Sequence, residues 1–244
     1  MELPYIYGLK IFVRDAEKSA DWLCQNLFFE KERGAEYVKL RSGKLHILLF
    51  EDKDQQIEAH GADNMFLGFR HIALETYDIQ AALKYCLEKR MELQLSENGE
   101  VKFNDKVYGT GMLYFNIQTE FGLIIEISQK LHCMKEPFSH LIEGMEHIGI
   151  QTEDVCTTVE FYEQLGFHRE FQPVVNESNG QRVSCCMVSS GETTLEIYGF
   201  ESEKKVCCQE NPVIDQLLLK TKNLYKGVDE FRGTAGEKIK ILPV

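Results

Sequence analysis

No apolar run in this sequence approaches the roughly 18–20 residues that a membrane-spanning helix needs. The first residues, Met1-Glu2-Leu3-Pro4, lack the basic and apolar regions of a secretory signal. A surplus of positive charge is missing too: 27 Lys and Arg stand against 39 Asp and Glu, a formal net charge of −12. Nucleic acid and anionic membrane surfaces both select basic faces, so neither is an expected partner. The eight cysteines contain no C-x-x-C pair, and the neighbours Cys185-Cys186 and Cys207-Cys208 make a poor disulfide framework. Adjacent cysteines point to opposite faces of a strand, so they are poorly placed to share one zinc ion. The expectation is reduced thiols in a cytoplasmic protein. What is present is an ordinary folding composition, 43% hydrophobic and 27% charged over 244 residues, enough for one large domain or two small ones.

The informative feature is an internal repeat. From His147 to Thr152 a short strand pattern meets Asp154, a good helix N-cap, after which Val155, Val159, Tyr162 and Leu165 form a helical apolar stripe that Gly166 ends. The same grammar occurs at His71–Thr76 with Asp78, Ile79, Leu83, Cys86 and Leu87. It occurs at Gly8–Val13 with Asp15, Ala16, Ala20, Leu23 and Leu27, and at Gln216–Thr221 with Asn223, Leu224, Val228 and Phe231. In each copy the first strand residue lies seven positions before the capping residue. Strand-like segments follow each helix, separated by Gly, Ser and Asn turns. After the second helix they are Glu92–Leu95, Val101–Tyr108, Met112–Thr119 and Leu123–Ser128; after the third, Arg169–Val175, Arg182–Val188 and Thr193–Tyr198. The predicted organisation is α+β: tandem βαβββ modules over residues 1–56, 66–130 and 144–200, and a truncated fourth over 212–244 with one further strand at Lys238–Leu242.

This repeat resembles the vicinal-oxygen-chelate superfamily, which includes glyoxalase I, the bleomycin-resistance proteins and the extradiol dioxygenases. The resemblance is carried by Glu146–Phe167, with its strand His, Asp turn and Phe161-Tyr162…Leu165-Gly166-Phe167 helix end, and by Gly191-Glu192-Thr193-Thr194-Leu195-Glu196-Ile197. It implies paired modules forming curved sheets around a cleft, with one metal-ligand position on the first strand and one on the last strand of each module. Carried over position by position, these are His71 and Glu126 in the second module and His147 and Glu196 in the third. In the first they are Gly8 and Leu48, which are not useful ligands. The fourth offers Gln216 and no last-strand residue. His46, two residues before Leu48, is read as a surface histidine, and His60, His132, His140 and His168 receive no role. Tyr108, Tyr114, Tyr198 and Arg182 are candidates for lining the cleft.

Strand alternation supports the four positions independently. It places Ile72, Leu74, Ile125, Ile127, Ile148, Ile150, Leu195 and Ile197 on the faces that need burial, and leaves the His and Glu residues on the opposite ones. An ionised Glu flanked by aliphatic neighbours is costly to bury unless it is paired or bound to a metal. Two imidazoles and two carboxylates suit one divalent ion: octahedral Ni²⁺, Co²⁺, Mn²⁺, Fe²⁺ or Mg²⁺ with two waters, or Zn²⁺. The four converge only if the second and third modules share a sheet, which the ligand pattern favours because the outer modules are the defective ones. Co-ligands of one ion then sit within about 3–4 Å of each other.

The resemblance implies a metal-dependent lyase or isomerase of glyoxalase I type acting on a small carbonyl compound or thiol adduct. Glu126 or Glu196 would serve as the base that moves a proton between adjacent carbons. Two alternatives stay open: a small-molecule (drug or metabolite) binding protein of the same fold without chemistry, and a ring-cleaving dioxygenase, which is disfavoured because the fourth module lacks a terminal Glu. Oligomeric state is left open, although an incomplete fourth module exposes a sheet edge.

Overall fold

The computed structural model describes residues 4–34, 36–55, 66–131, 139–178, 181–201, 207–208, 213–221 and 229–243. The alternating segments become strands and each Asp cap starts a helix. The first module runs β1 (Tyr5–Val13), α1 (Ala16–Leu27), β2 (Glu30–Arg33), β3 (Val38–Ser42) and β4 (Leu45–Glu51). The second runs β5 (Phe66–Thr76), α2 (Ile79–Glu88), β6 (Glu92–Gln94), β7 (Lys102–Asn104), β8 (Met112–Gln118) and β9 (Ile124–Lys130). The third runs β10 (Ile142–Gln151), α3 (Val155–Gln164), β11 (His168–Arg169), β12 (Val174–Ser178), β13 (Gln181–Ser190) and β14 (Thr193–Phe200). The last stretch contributes β15 (Cys207–Cys208), β16 (Ile214–Lys220), β17 (Glu230–Arg232) and β18 (Lys238–Leu242).

Two mixed sheets result. The inner one has the order β11-β13-β14-β10-β5-β9-β8-β6, with β12 on β13, β7 on β8 and β15 on β5. The outer one is β17-β18-β16-β1-β4-β3-β2. The second and third modules therefore join through the antiparallel pair β5·β10, and the first and fourth through β1·β16. Within each module the first strand lies parallel to the last one: β1·β4, β5·β9, β10·β14 and β16·β18. Neither sheet closes into a barrel.

The aliphatic faces named above are buried, with Ile72, Leu74, Ile125, Ile127, Ile148, Ile150, Leu195 and Ile197 all at 0% exposure. Helix α1 covers its sheet with Ala16, Ala20, Leu23 and Leu27, and α3 with Val155, Val159 and Tyr162. Each helix starts as its cap predicts: the Asp15, Asp78 and Asp154 carboxylates accept the backbone N–H of Lys18, of Gln80 and Ala81, and of Thr157. Leu165 and Gly166 close α3, with Gly166 at φ +98°, a left-handed conformation that glycine adopts without strain.

Several expectations are corrected. In α2 the buried stripe is Ile79, Ala82 and Cys86, while Leu87 is exposed. The segment predicted as one strand over Val101–Tyr108 is a strand only at Lys102–Asn104. Beyond it the chain turns, with Tyr108, Gly109 and Gly111 all at positive φ. The strand predicted at Arg169–Val175 is split in two ahead of Val174, since Pro173 lacks the N–H that a ladder requires. The strand expected at Lys238–Leu242 is β18, and by lying parallel beside β16 it supplies the fourth module with the last-strand position that the sequence leaves empty. Of the fourth helix, 223–228 lie outside the described residues, as do His60, His132 and Cys133; Phe231, expected on its stripe, stands instead in β17, paired with Ile239 of β18.

Candidate metal centre

The centre of the inner sheet is where β5 and β10 cross-pair, with His71 opposite Gly149 and His147 opposite Ala73. The parallel neighbours then bring each glutamate alongside. Ala73 pairs with Glu126 on β9, and Gly149 pairs with Glu196 on β14. Because the register is the same in both modules, both His-Glu pairs face the same open side of the sheet. The glycine at 149 is a steric requirement. A Cβ there would lie 2.1 Å from His71 Cε1, so only glycine lets the ring lie across β10.

The side chains meet. His71 Nε2 is 3.0 Å from His147 Nε2. Glu196 Oε2 is 3.3 Å from His71 Nε2 and 3.5 Å from His147 Nε2. Glu126 Oε1 is 3.7 Å from His147 Nε2. One ligand atom each from His71, Glu126 and His147 lies within 4.8 Å of the others. His147 is fully buried and Glu126 is 5% exposed. Burial pushes the Glu126 carboxyl up to about 8; His147 opposes the shift and Glu196 adds to it. Burial acts the same way on Glu196, but hydrogen bonds to His147 and His71 outweigh it and hold that carboxyl well below its ordinary range.

A second layer of contacts fixes His147. Its Nδ1 faces the Glu146 carboxylate at hydrogen-bond contact. Glu146 also receives the Tyr108 hydroxyl and Lys130 Nζ, the latter at 2.7 Å, and Lys130 lies 4.3 Å above the Tyr108 ring. Burial works to raise Glu146, yet His147 and Lys130 hold it down at about 2. Burial likewise works to lower His147, but Glu146 outweighs it and raises that imidazole well above its ordinary value. A carboxylate on Nδ1 sets the tautomer and leaves Nε2 free to point at the centre. Simple alternation hides Glu146, because neighbours in a strand face opposite sides. The register shifts of β10 between Ile142, Met145 and His147 form an irregularity that lets both side chains reach the same cluster.

Of the cleft candidates, Tyr198 packs against His71 with ring centroids 5.9 Å apart. Tyr114 and Arg182 line a cavity of about 690 Å³ beside the centre, together with Lys102, Phe103, Lys106 and Val175. Tyr108 reaches the site from the turn described above. Cys185, next to Glu196, directs its Sγ at Glu196 Oε1 at 3.5 Å. Burial, reinforced by Glu196, raises this thiol well above its ordinary value. Cys24, Cys86, Cys156, Cys185 and Cys186 are all free thiols. His46 is half-buried on the outer sheet, and His140 stacks on Phe28.

The residues present fit a divalent ion. His71, Glu126 and His147 offer two imidazole nitrogens and a carboxylate oxygen close enough for one ion, and Glu126 Oε1 is buried with no hydrogen-bond partner among the described residues, which is costly unless something else satisfies it. No helix among the described residues is long and apolar enough to cross a membrane.

Comparison with known proteins agrees with this architecture. Glyoxalase I from Zea mays is similar over 98% of this chain and 92% of its own, with a TM-score of 0.69 and 14% identity. Its V278E mutant gives a TM-score of 0.72 over the same shares, also at 14% identity. A "putative dioxygenase" from Bacillus subtilis is similar over 100% of this chain and 86% of its own, with a TM-score of 0.65 and 10% identity. At such identities these likenesses speak for the fold. No curated protein matches the chain in sequence. The match to the family itself covers residues 6–127, half of the chain, taking in the first two modules with His71 and Glu126. The chain belongs to the Glyoxalase/Bleomycin resistance protein/Dioxygenase superfamily.

Proposed function

We propose that the protein is a metal-dependent lyase or isomerase of glyoxalase I type, acting on a small carbonyl compound or thiol adduct. Its ion would be held by His71, Glu126, His147 and Glu196. One observation carries the reading: two imidazole Nε2 atoms 3.0 Å apart share the Glu196 carboxylate while Glu126 Oε1 stands beside them unbonded. The shared position of Glu196 favours four ligands over the two-His, one-carboxylate set of ferrous oxygenases. A divalent ion bound there supplies Lewis acidity toward the substrate's oxygens.

The chain's own groups do the rest. Glu196, tied to both imidazoles, stays ionised and keeps them oriented. Glu126 takes the proton from the carbon next to the carbonyl and returns it to the neighbouring carbon. Tyr114 and the basic side chains of Lys102, Lys106 and Arg182 line the adjoining cavity and would receive the polar remainder of the substrate.

The test is metal analysis joined to turnover of hemithioacetals. The expected outcome is about one divalent ion per chain, lost in His71→Ala and Glu196→Ala. Isomerisation should fall by a factor of about 10² or more in Glu126→Gln while that variant's thermal melt stays intact. A well-folded protein that takes up no divalent ion and binds bulky apolar ligands instead would replace this reading with that of a binding protein.

A further inference from the structure

The outer sheet repeats the geometry of the inner one with different chemistry. By the same register rule, its ligand positions are Gly8 and Leu48 in the first module, since Lys10 pairs with Leu48, and Gln216 and Lys240 in the fourth, since Leu218 pairs with Lys240. Where the inner sheet has His, Glu, His and Glu, the outer one has Gly, Leu, Gln and Lys. An ammonium stands where a carboxylate ligand would be, so this face repels a divalent cation.

Its open side is basic and aromatic in a chain of net charge −12. On the four central strands the basic groups are Lys10, Lys220, Lys238 and Lys240; Asp215 reaches two of them, and Glu230 on the edge strand β17 stands across from Lys240 in register. Asp215 contacts both Lys10 Nζ at 3.3 Å and Lys238 Nζ at 2.5 Å, so one carboxylate is shared by two ammonium groups. Among the described residues no carboxylate lies within ion-pair distance of Lys220 or Lys240. Across the strands Lys39 is paired with Glu32.

Rings stand between these charges. Lys10 Nζ lies 4.5 Å from the Phe12 ring centre and 5.0 Å from that of Phe50, and Lys220 Nζ lies 4.4 Å from that of Tyr7. Tyr7 in turn packs on His46 at 4.5 Å, and His46 Nδ1 is buried without a hydrogen-bond partner. Lys10 and Lys238 are half-buried, with 28% and 35% of their side chains exposed, which weakens solvent screening of their charge.

We propose that this face binds a small organic anion carrying a planar ring, such as an aromatic phosphate ester or carboxylate, at a site separate from the His and Glu centre. The anionic group would meet Lys240, Lys238 and Gln216, and the ring would pack on the Tyr7, Phe12 and Phe50 side. Charge complementarity selects the anion, and ring packing selects its planar part. The reading does not depend on what the inner centre does.

The experiment is a fluorescence titration of the full chain with 1-naphthyl phosphate, with naphthalene-1-methanol and inorganic phosphate as ring-only and anion-only probes. Naphthyl phosphate is expected to bind at least about tenfold tighter than either. Its affinity should fall at least about tenfold in Lys240→Glu, fall less in Lys220→Gln, weaken with added salt, and stay unchanged in His71→Ala. If Lys240→Glu does not fold, Lys220→Gln, checked by its melting temperature, decides. The proposal is overturned by affinity equal to that of the neutral alcohol, by folded lysine variants that bind like the parent, or by loss of binding in His71→Ala.

Discussion

A single buried carboxylate, Glu146, decides how His147 presents itself. It is 3% exposed and is held by three donors: His147 Nδ1, the Tyr108 hydroxyl and Lys130 Nζ. Replacing it with Gln keeps size and one acceptor but removes the charge that fixes the imidazole. On the metal-centre reading, Glu146→Gln should weaken divalent-ion affinity about 10–100-fold with the fold retained. Calorimetric metal titration checks this, and unchanged affinity would reduce Glu146 to a packing residue. A second buried acid works at a distance from the centre. Glu237 accepts the Tyr162 hydroxyl at 2.7 Å and the Ala235 N–H at 2.9 Å, and burial raises its carboxyl above the ordinary value. The folded state therefore holds this proton more tightly than the unfolded one. The stabilisation is complete below the ordinary carboxylate value and is lost as pH rises through the raised one. Urea midpoints measured across that range should decline with pH, and Glu237→Gln should flatten the decline.

At the scale of elements, the recurring strand, cap and helix explain why the modules can be read from the chain. Asp154 accepts the Thr157 N–H at 3.0 Å and the Thr157 hydroxyl at 2.7 Å. Asp154→Ala should cost about 1 kcal/mol of stability and leave metal uptake untouched, since α3 lies on the far side of the sheet from the centre. Thermal melts with a metal titration test both halves of that expectation. Alternation served well wherever the strands are regular: every aliphatic face predicted for β5, β9, β10 and β14 is buried. It failed at irregularities. The register shifts of β10 hide Glu146, and Tyr108, which alternation places in a strand, is carried to Glu146 by a turn of positive-φ residues. Both failures are departures from period two, which single-residue patterns cannot register.

At the scale of the whole molecule, one hydrophobic core contains residues of both sheets, among them Leu9, Ile47, Leu217 and Ile239 of the outer and Ile72, Ile125, Ile148 and Ile197 of the inner. Trp22 of α1 also packs edge-on against Phe121 of the second module, and Ser190 of the third module bonds the Pro4 carbonyl. Two sheets sharing a core should unfold together. Scanning calorimetry is expected to show one transition, and a divalent ion at 100 times its dissociation constant should add about 2.7 kcal/mol to its stability. Two separated transitions would mean that each sheet is its own folding unit.

The sequence by itself determined the local grammar: a strand and a capping Asp at seven-residue spacing in the first three modules, the buried faces, and two matched His and Glu positions in the inner modules. These depend on period and on caps, which are properties of neighbouring residues. The pairing of modules was decided by tertiary structure, because β5·β10 and β1·β16 join strands that are distant in the chain and equally suited to other partners. That pairing gathers four ligand-type side chains from two modules around one point. It also sets Lys240 and Gln216 beside Gly8 and Leu48 on the other sheet, so the same fold presents two faces of opposite charge character.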